Sequence, residues 1–247
     1  MEALSQYGKE VMEAYAKDVG AEYRFDMNPT FIAKRSPHPS HMSALRPIFD
    51  EEFHSYDKVL YIDCDIFPVD TCDQNIFDEP VSEIGICEEK HMPELRVLNP
   101  QCQDDKWDRT VKELYGKSLP RNEQGLVRVF NTGLVMYTRE GMIKAKANFE
   151  DMRVFVSKFQ PRFNRPLYYR DQSYLPVMLE VGDIDYTIMD TKWNSQIHWK
   201  PNTHGPNRPI IDMRTADTQF VHVQLTGSGE WSRDKIWKAV NTAESND

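Results

Sequence analysis

The stretch KVLYIDCDIFPVD, Lys58–Asp70, places an apolar, strand-forming run directly before two aspartates one residue apart. KVLYI is apolar on both faces, as expected of a central strand in a helix-covered sheet. In open α/β sheets ligands bind beyond the carboxyl ends of strands, which is where Asp63 and Asp65 fall. Two carboxylates so close repel each other unless a cation, a proton or basic partners compensate them. A hard divalent ion with oxygen ligands would do so and could also hold a diphosphate. A phosphate-transfer nucleophile and a solvated turn are the competing readings. Ile66, Phe67, Pro68 and Val69 argue against the solvated turn, whose flanks would be polar.

Working outward, the chain of 247 residues is 40% hydrophobic, ample for a core and compatible with one α/β domain over residues 1–247. No run of about 18 apolar residues occurs, so no membrane span is expected. The first residues, MEALSQYGKEVMEAYAKDVGAEYRFD, form a charged amphipathic segment rather than a signal peptide. A net charge of −9 argues against a general nucleic-acid binder, which needs a basic footprint. It is compatible with an anionic small ligand held by a metal and a few arginines. Cys64, Cys72, Cys87 and Cys102 form no CxxC pair and no zinc spacing, pointing to reduced thiols in a cytoplasm-like compartment.

Periodicity places a helix over 5–19, with Val11, Met12, Tyr15 and Val19 on one stripe and Gly20 as its stop. A short strand is expected in AEYRF, then a Pro- and Ser-punctuated loop over 27–41 and a helix over 43–53. EIGIC, 83–87, reads as a strand with acidic and basic residues collecting after it, and 104–115 as a helix. LVRVFNTGLVMYT, 126–138, holds two apolar runs around a polar break, followed by a helix over about 139–157. YTIMD and QFVHVQL read as late strands, and Ser232 caps a closing helix. Strands alternating with helices favour a three-layer α/β/α domain with a mostly parallel mixed sheet.

Three further segments carry chemistry. Asn131 can donate and accept hydrogen bonds and Gly133 permits close approach to backbone; the same FNTG could also be a plain turn. His222, within FVHV, is either a metal-binding imidazole or a core histidine satisfied by a hydrogen bond. Gly227, Ser228 and Gly229 either expose amides toward phosphate or turn the chain. The loop PRFNRPLYYR, with Arg162, Arg165, Arg170, Tyr168 and Tyr169, suits stacking on sugars and pairing with anions, or packs as a solvated loop.

Taken in order, YIDCD at 61–65, FNTG at 130–133, DQ at 171–172, WN at 193–194 and HVQLTG at 222–227 resemble a GT-A-type glycosyltransferase, nearest the glycogenin/galactosyltransferase-like family with its DxD motif. The spacing of Asp63 and Asp65 also resembles haloacid-dehalogenase-like phosphatases, but Phe67 stands where that family has Thr or Val. The transferase resemblance implies that Asp63 contacts metal and ribose, Asp65 chelates metal and His222 is the third ligand of a Mn²⁺ or Mg²⁺ ion. It further implies that Asn131 and Gly133 line the sugar pocket and that Asp171 and Gln172 lie near the transferred sugar. Asp171 is also suited to be a helix N-cap. Gly227, Arg170 and Arg46 are candidates for the donor phosphates.

The implied activity is metal-dependent transfer of a sugar from a nucleoside-diphosphate-sugar, UDP-sugar by preference, to a hydroxyl of a carbohydrate or glycoconjugate acceptor, with retention of stereochemistry. Two departures favour an alternative, a degenerate carbohydrate- or nucleotide-sugar-binding protein without catalysis. The late loop reads GSGEW, with no lysine until Lys235, and the family's first strand is not evident before the first helix.

Overall fold

The computed structural model describes residues 2–26, 42–198, 211–223 and 232–242. The helices are α1 (Glu2–Asp18), α2 (Arg46–Phe49), α3 (Met92–Val97), α4 (Asp104–Tyr115), α5 (Arg139–Asn148), α6 (Met152–Phe159), α7 (Asp171–Val181) and α8 (Arg233–Asn241). The strands are β1 (Lys58–Ile62), β2 (Ile66–Pro68), β3 (Ile84–Glu88), β4 (Phe130–Thr138), β5 (Tyr186–Met189), β6 (Ser195–His198), β7 (Ile211–Asp212) and β8 (Phe220–Val223). Two compact units result, one from Met1–Asp26, Ile62–Glu79 and Asp190–Asp247, the other from Met27–Tyr61 and Pro80–Met189.

The class is α/β, but the expectation of a mostly parallel sheet is not met. Each unit carries a mixed four-stranded sheet, ordered β2-β8-β6-β7 in the first and β1-β4-β3-β5 in the second. The pairs β2–β8, β3–β4 and β6–β7 run antiparallel, whereas β3–β5 and β6–β8 run parallel. Apolar runs do not distinguish the two directions, because burial on both faces produces the same pattern in either. KVLYI is correspondingly not central: β1 ends its sheet among the described residues and is only half-buried.

In the first unit, α1 ends as its sequence requires. Gly20 takes a left-handed conformation (φ +72°), and the Ala21 N–H donates to the Ala16 carbonyl across it. Tyr7, Met12, Tyr15 and Ala16 are the buried stripe. Tyr7 stacks on Phe67 with ring centroids 5.6 Å apart, within a core that includes Val221, Val223, Ile236 and Val240. Ser232 caps α8 by accepting from the Lys235 N–H. Pro68 lies in β2, which ends its sheet among the described residues, where a missing N–H is tolerated.

The second unit buries Ile84, Ile86, Phe130, Val135 and Tyr137 of its sheet against Leu175 and Met178 of α7. Several boundaries differ from the periodicity. Residues 21–25 form no strand. The helix expected over 43–53 is α2 flanked by two 3₁₀ turns, since Asp50 leaves the helix in an extended conformation and caps Glu52. The helix expected over 139–157 is divided into α5 and α6, because the Asp151 side chain accepts from the Arg153 N–H and starts a new helix. The 27–41 loop lies outside the described residues.

FNTG is no turn. It lies within the single strand β4, at a large bulge. Ile86 pairs with Val135 but the next residue, Cys87, pairs with Asn131, so Thr132, Gly133 and Leu134 have no partners on β3.

Candidate functional site

Asp63 and Asp65 lie in a tight turn between β1 and β2, closed by the Ile66 N–H donating to the Asp63 carbonyl. His222 lies in β8, the strand between β2 and β6, with its Cα opposite Ile66 on one side and Gln196 on the other. The Val223 N–H donates to the Asp65 carbonyl at 2.9 Å and ties the turn to the strand. One carboxylate oxygen from each aspartate and one imidazole nitrogen all lie within 4.8 Å of one another.

This donor set fits a divalent cation. Ligand atoms about 2.0–2.2 Å from one ion are about 3–4.4 Å from each other, and His222 Nε2 is 3.4 Å from Asp65 Oδ1. Two carboxylates and an imidazole offer oxygen and nitrogen ligands to a divalent ion, unlike the thiolate-rich sets typical of structural zinc. Cys64, between the aspartates, is outside the group, and none of the four cysteines forms a disulfide.

Two neighbours shape this turn. His222 Nδ1 is 3.1 Å from Asn194 Oδ1, and both residues are buried. Gly8 of α1 supports the turn from the helix side: a methyl group there would stand 2.5 Å from the Cys64 carbonyl oxygen. Glycine is thus what allows the helix to approach the backbone between the two aspartates.

In the second unit, the β4 bulge gathers several of the other candidates. The Asn131 amide donates to Glu89 Oε1 at 2.7 Å, and its Oδ1 accepts from the Gly133 N–H at 2.9 Å. Thr132, next in the bulge, donates its hydroxyl to Asp171 Oδ2. Burial pushes the Asp171 carboxyl up to about 6; the Thr132 hydroxyl, the Gln172 and Asp171 N–H groups and the Arg170 charge hold it back. Asp171 is not the N-cap of α7, as its sequence position suggested. Arg170 holds that place, and Asp171 is the first helical residue, with Gln172 following. The Nε of Arg170 is buried without a hydrogen-bond partner among the described residues.

Arg46 pairs with Asp50 and, at 2.7 Å, with Glu52, and lies over the Phe53 ring. Gly227 lies outside the described residues. Glu89 had no place in the sequence reading, and Thr132 and Asn194 entered it only as parts of FNTG and WN. Their signal was proximity to a motif, which does not reveal a side-chain partner.

No helix among the described residues is long and apolar enough to cross a membrane. No family model matches the chain, and no curated protein does. Among solved structures, the apo form of mouse xyloside xylosyltransferase 1 is a distant match, with 16% identity over 90% of this chain and 72% of that one, and a TM-score of 0.43. A likeness at that distance assigns no activity, and the functional reading is carried by the residues of the site.

Proposed function

We propose that the chain is a metal-dependent glycosyltransferase that moves a sugar from a nucleoside-diphosphate-sugar to an acceptor hydroxyl. The observation that carries this reading is the convergence of Asp63, Asp65 and His222 from distant parts of the sequence onto one cation-sized group. The order of the five short motifs supports it.

Asp63, Asp65 and His222 would hold Mn²⁺ or Mg²⁺. When bound, such an ion supplies Lewis-acid stabilisation of the charge that develops on a nucleoside diphosphate leaving group. The chain's own contribution is a preformed anionic turn, tied to β8 by the Asp65–Val223 hydrogen bond and placed against α1 at Gly8. In the second unit we assign Asp171 to hydrogen bonding with sugar hydroxyls. Its raised pKa lets it accept such bonds as a carboxylate near neutral pH and donate one as the acid below about 6. Asn131 and Gln172 join that assignment, with Gly133 giving close access to backbone. A UDP-sugar is the preferred donor and retention the preferred outcome.

The test is calorimetry with Mn²⁺ and a panel of UDP- and GDP-sugars, comparing the wild type with Asp65→Ala. Loss of an outer partner of a metal ligand costs about 10–100-fold in affinity, so loss of the ligand itself should weaken metal-dependent donor binding by at least about 100-fold. Circular dichroism should be unchanged. Equal donor affinity in the two proteins would sink the metal-bridged reading. Donor binding with no turnover on any acceptor would favour the non-catalytic sugar-binding alternative, to which the GSGEW departure points. Release of phosphate from simple phosphomonoesters would instead restore the phosphatase.

A further inference from the structure

We infer that Asn194 is a positioning residue that fixes the tautomer of His222, keeping the proton on Nδ1 so that the Nε2 lone pair faces Asp65. This deepens the proposed function and rests on its metal assignment for the purpose of the arrangement, although the tautomer itself can be measured without any metal.

The inference follows from hydrogen-bond chemistry in a buried place. The His222 side chain is 6% exposed and Asn194 is 4% exposed. A neutral imidazole has one N–H and one lone pair, and in such a setting the N–H needs a protein acceptor. The Asn194 carbonyl oxygen, 3.1 Å from Nδ1, can only accept. The proton therefore belongs on Nδ1.

Nε2 is left with its lone pair 3.4 Å from Asp65 Oδ1. Two electron-rich atoms facing each other so closely repel unless a positive charge sits with them. The opposite tautomer would satisfy Asp65 but turn the Nδ1 lone pair onto the Asn194 oxygen. The arrangement thus trades a good His–Asp hydrogen bond for an imidazole and a carboxylate that both present lone pairs, which is what a cation requires of its ligands.

Asn194 is well placed to enforce this choice. It follows the 3₁₀ turn Thr191–Trp193, and its own N–H donates to the Thr191 carbonyl at 3.0 Å. The fully buried Trp193 anchors that turn, its ring 5.2 Å from Phe220 of β8 in an edge-to-face contact. The acceptor is therefore held by the same strand that carries the histidine.

Nitrogen-15 NMR of the metal-free protein at about pH 8, where an ordinary imidazole is neutral, reads the tautomer directly. The wild type should show the Nδ1–H form, as should Asn194→Asp, which keeps an acceptor. Asn194→Leu should lose that preference. In a Mn²⁺ titration followed by electron paramagnetic resonance, Asn194→Leu should bind about 10–100-fold more weakly than the wild type, and Asn194→Asp no more weakly.

A wild-type Nε2–H tautomer overturns the inference, even if the leucine variant fails to fold. So does a leucine variant with wild-type tautomer and affinity, or an equal loss in both variants, which would mark a merely structural residue. A wild type with the Nδ1–H tautomer and no Mn²⁺ affinity would instead overturn the metal reading and, with it, the purpose assigned to Asn194.

Discussion

Replacing Asp171 by Asn should stabilise the protein at neutral pH, and by an amount that depends on pH in a defined way. Burial raises the Asp171 carboxyl from 3.8 to about 6, so the folded chain binds that proton more tightly than the unfolded chain does. The stabilising contribution is complete below about 3.8 and is lost as pH rises through about 6. At 1.36 kcal/mol per pH unit, ionisation in the folded state costs about 3 kcal/mol near neutrality, an upper bound because Asp171 keeps partial solvent access. Asn removes the charge and retains an oxygen for the Thr132 hydroxyl. Urea unfolding at a series of pH values, followed by circular dichroism, should show Asp171→Asn more stable than wild type by up to about 3 kcal/mol at pH 8, with the gap closing near pH 4. On the proposed reading, sugar transfer should fall in the same variant, the pattern expected where a destabilising group is kept for its chemistry. A gap independent of pH, or a variant less stable than wild type at pH 8, would refute the reasoning.

Two other substitutions probe the scaffold. Gly8→Ala should cost about 1–3 kcal/mol in stability, because the new methyl meets the Cys64 carbonyl oxygen and backbone must move. A Mn²⁺ titration should show weaker binding in that variant, whereas unchanged affinity would mean the helix contact and the aspartate turn are uncoupled. Tyr137→Phe should cost about 1–3 kcal/mol, since the buried Tyr137 hydroxyl donates to the Ala44 carbonyl at 2.6 Å and its loss leaves that oxygen unpaired. Thermal unfolding is the measurement, and a variant as stable as wild type would show that another donor reaches Ala44.

The two carboxylates and the histidine, which the fold brings within 4.8 Å of one another, were readable because a candidate metal site needs particular residue types, and those types are recognisable one by one. Their support was not. Asn194 acts through where its side-chain oxygen points, and nothing in the letters WN conveys a direction. Thr132 was passed over between Asn131 and Gly133 because a bulge, unlike a turn, has no composition of its own. Glu89 was one acid among several after β3, and only the fold shows which of them receives the Asn131 amide. At the level of fold, helix–strand alternation gave the α/β class, while strand direction and the edge position of β1 depend on long-range pairing that local periodicity does not encode. The break between α5 and α6 was the exception. Asp151 is an ordinary N-cap signal, obscured by apolar residues that continue at helical spacing on both sides.

The strand that supplies His222 is also the one that joins β2 to β6, and this has a consequence for the order in which the chain can mature. During synthesis both aspartates emerge early, together with α1, whereas β8 follows only after the whole second unit has been made. Until then the turn at Asp63–Asp65 has neither its imidazole nor the Val223 hydrogen bond that ties it down. Closure of the first unit is a contact of long sequence separation, the slow kind. On the proposed metal reading, an ion that binds only the closed arrangement would stabilise late-completed chains selectively and leave nascent or truncated ones without its help. Metal supply during expression should therefore affect the yield of folded chain as well as its later activity.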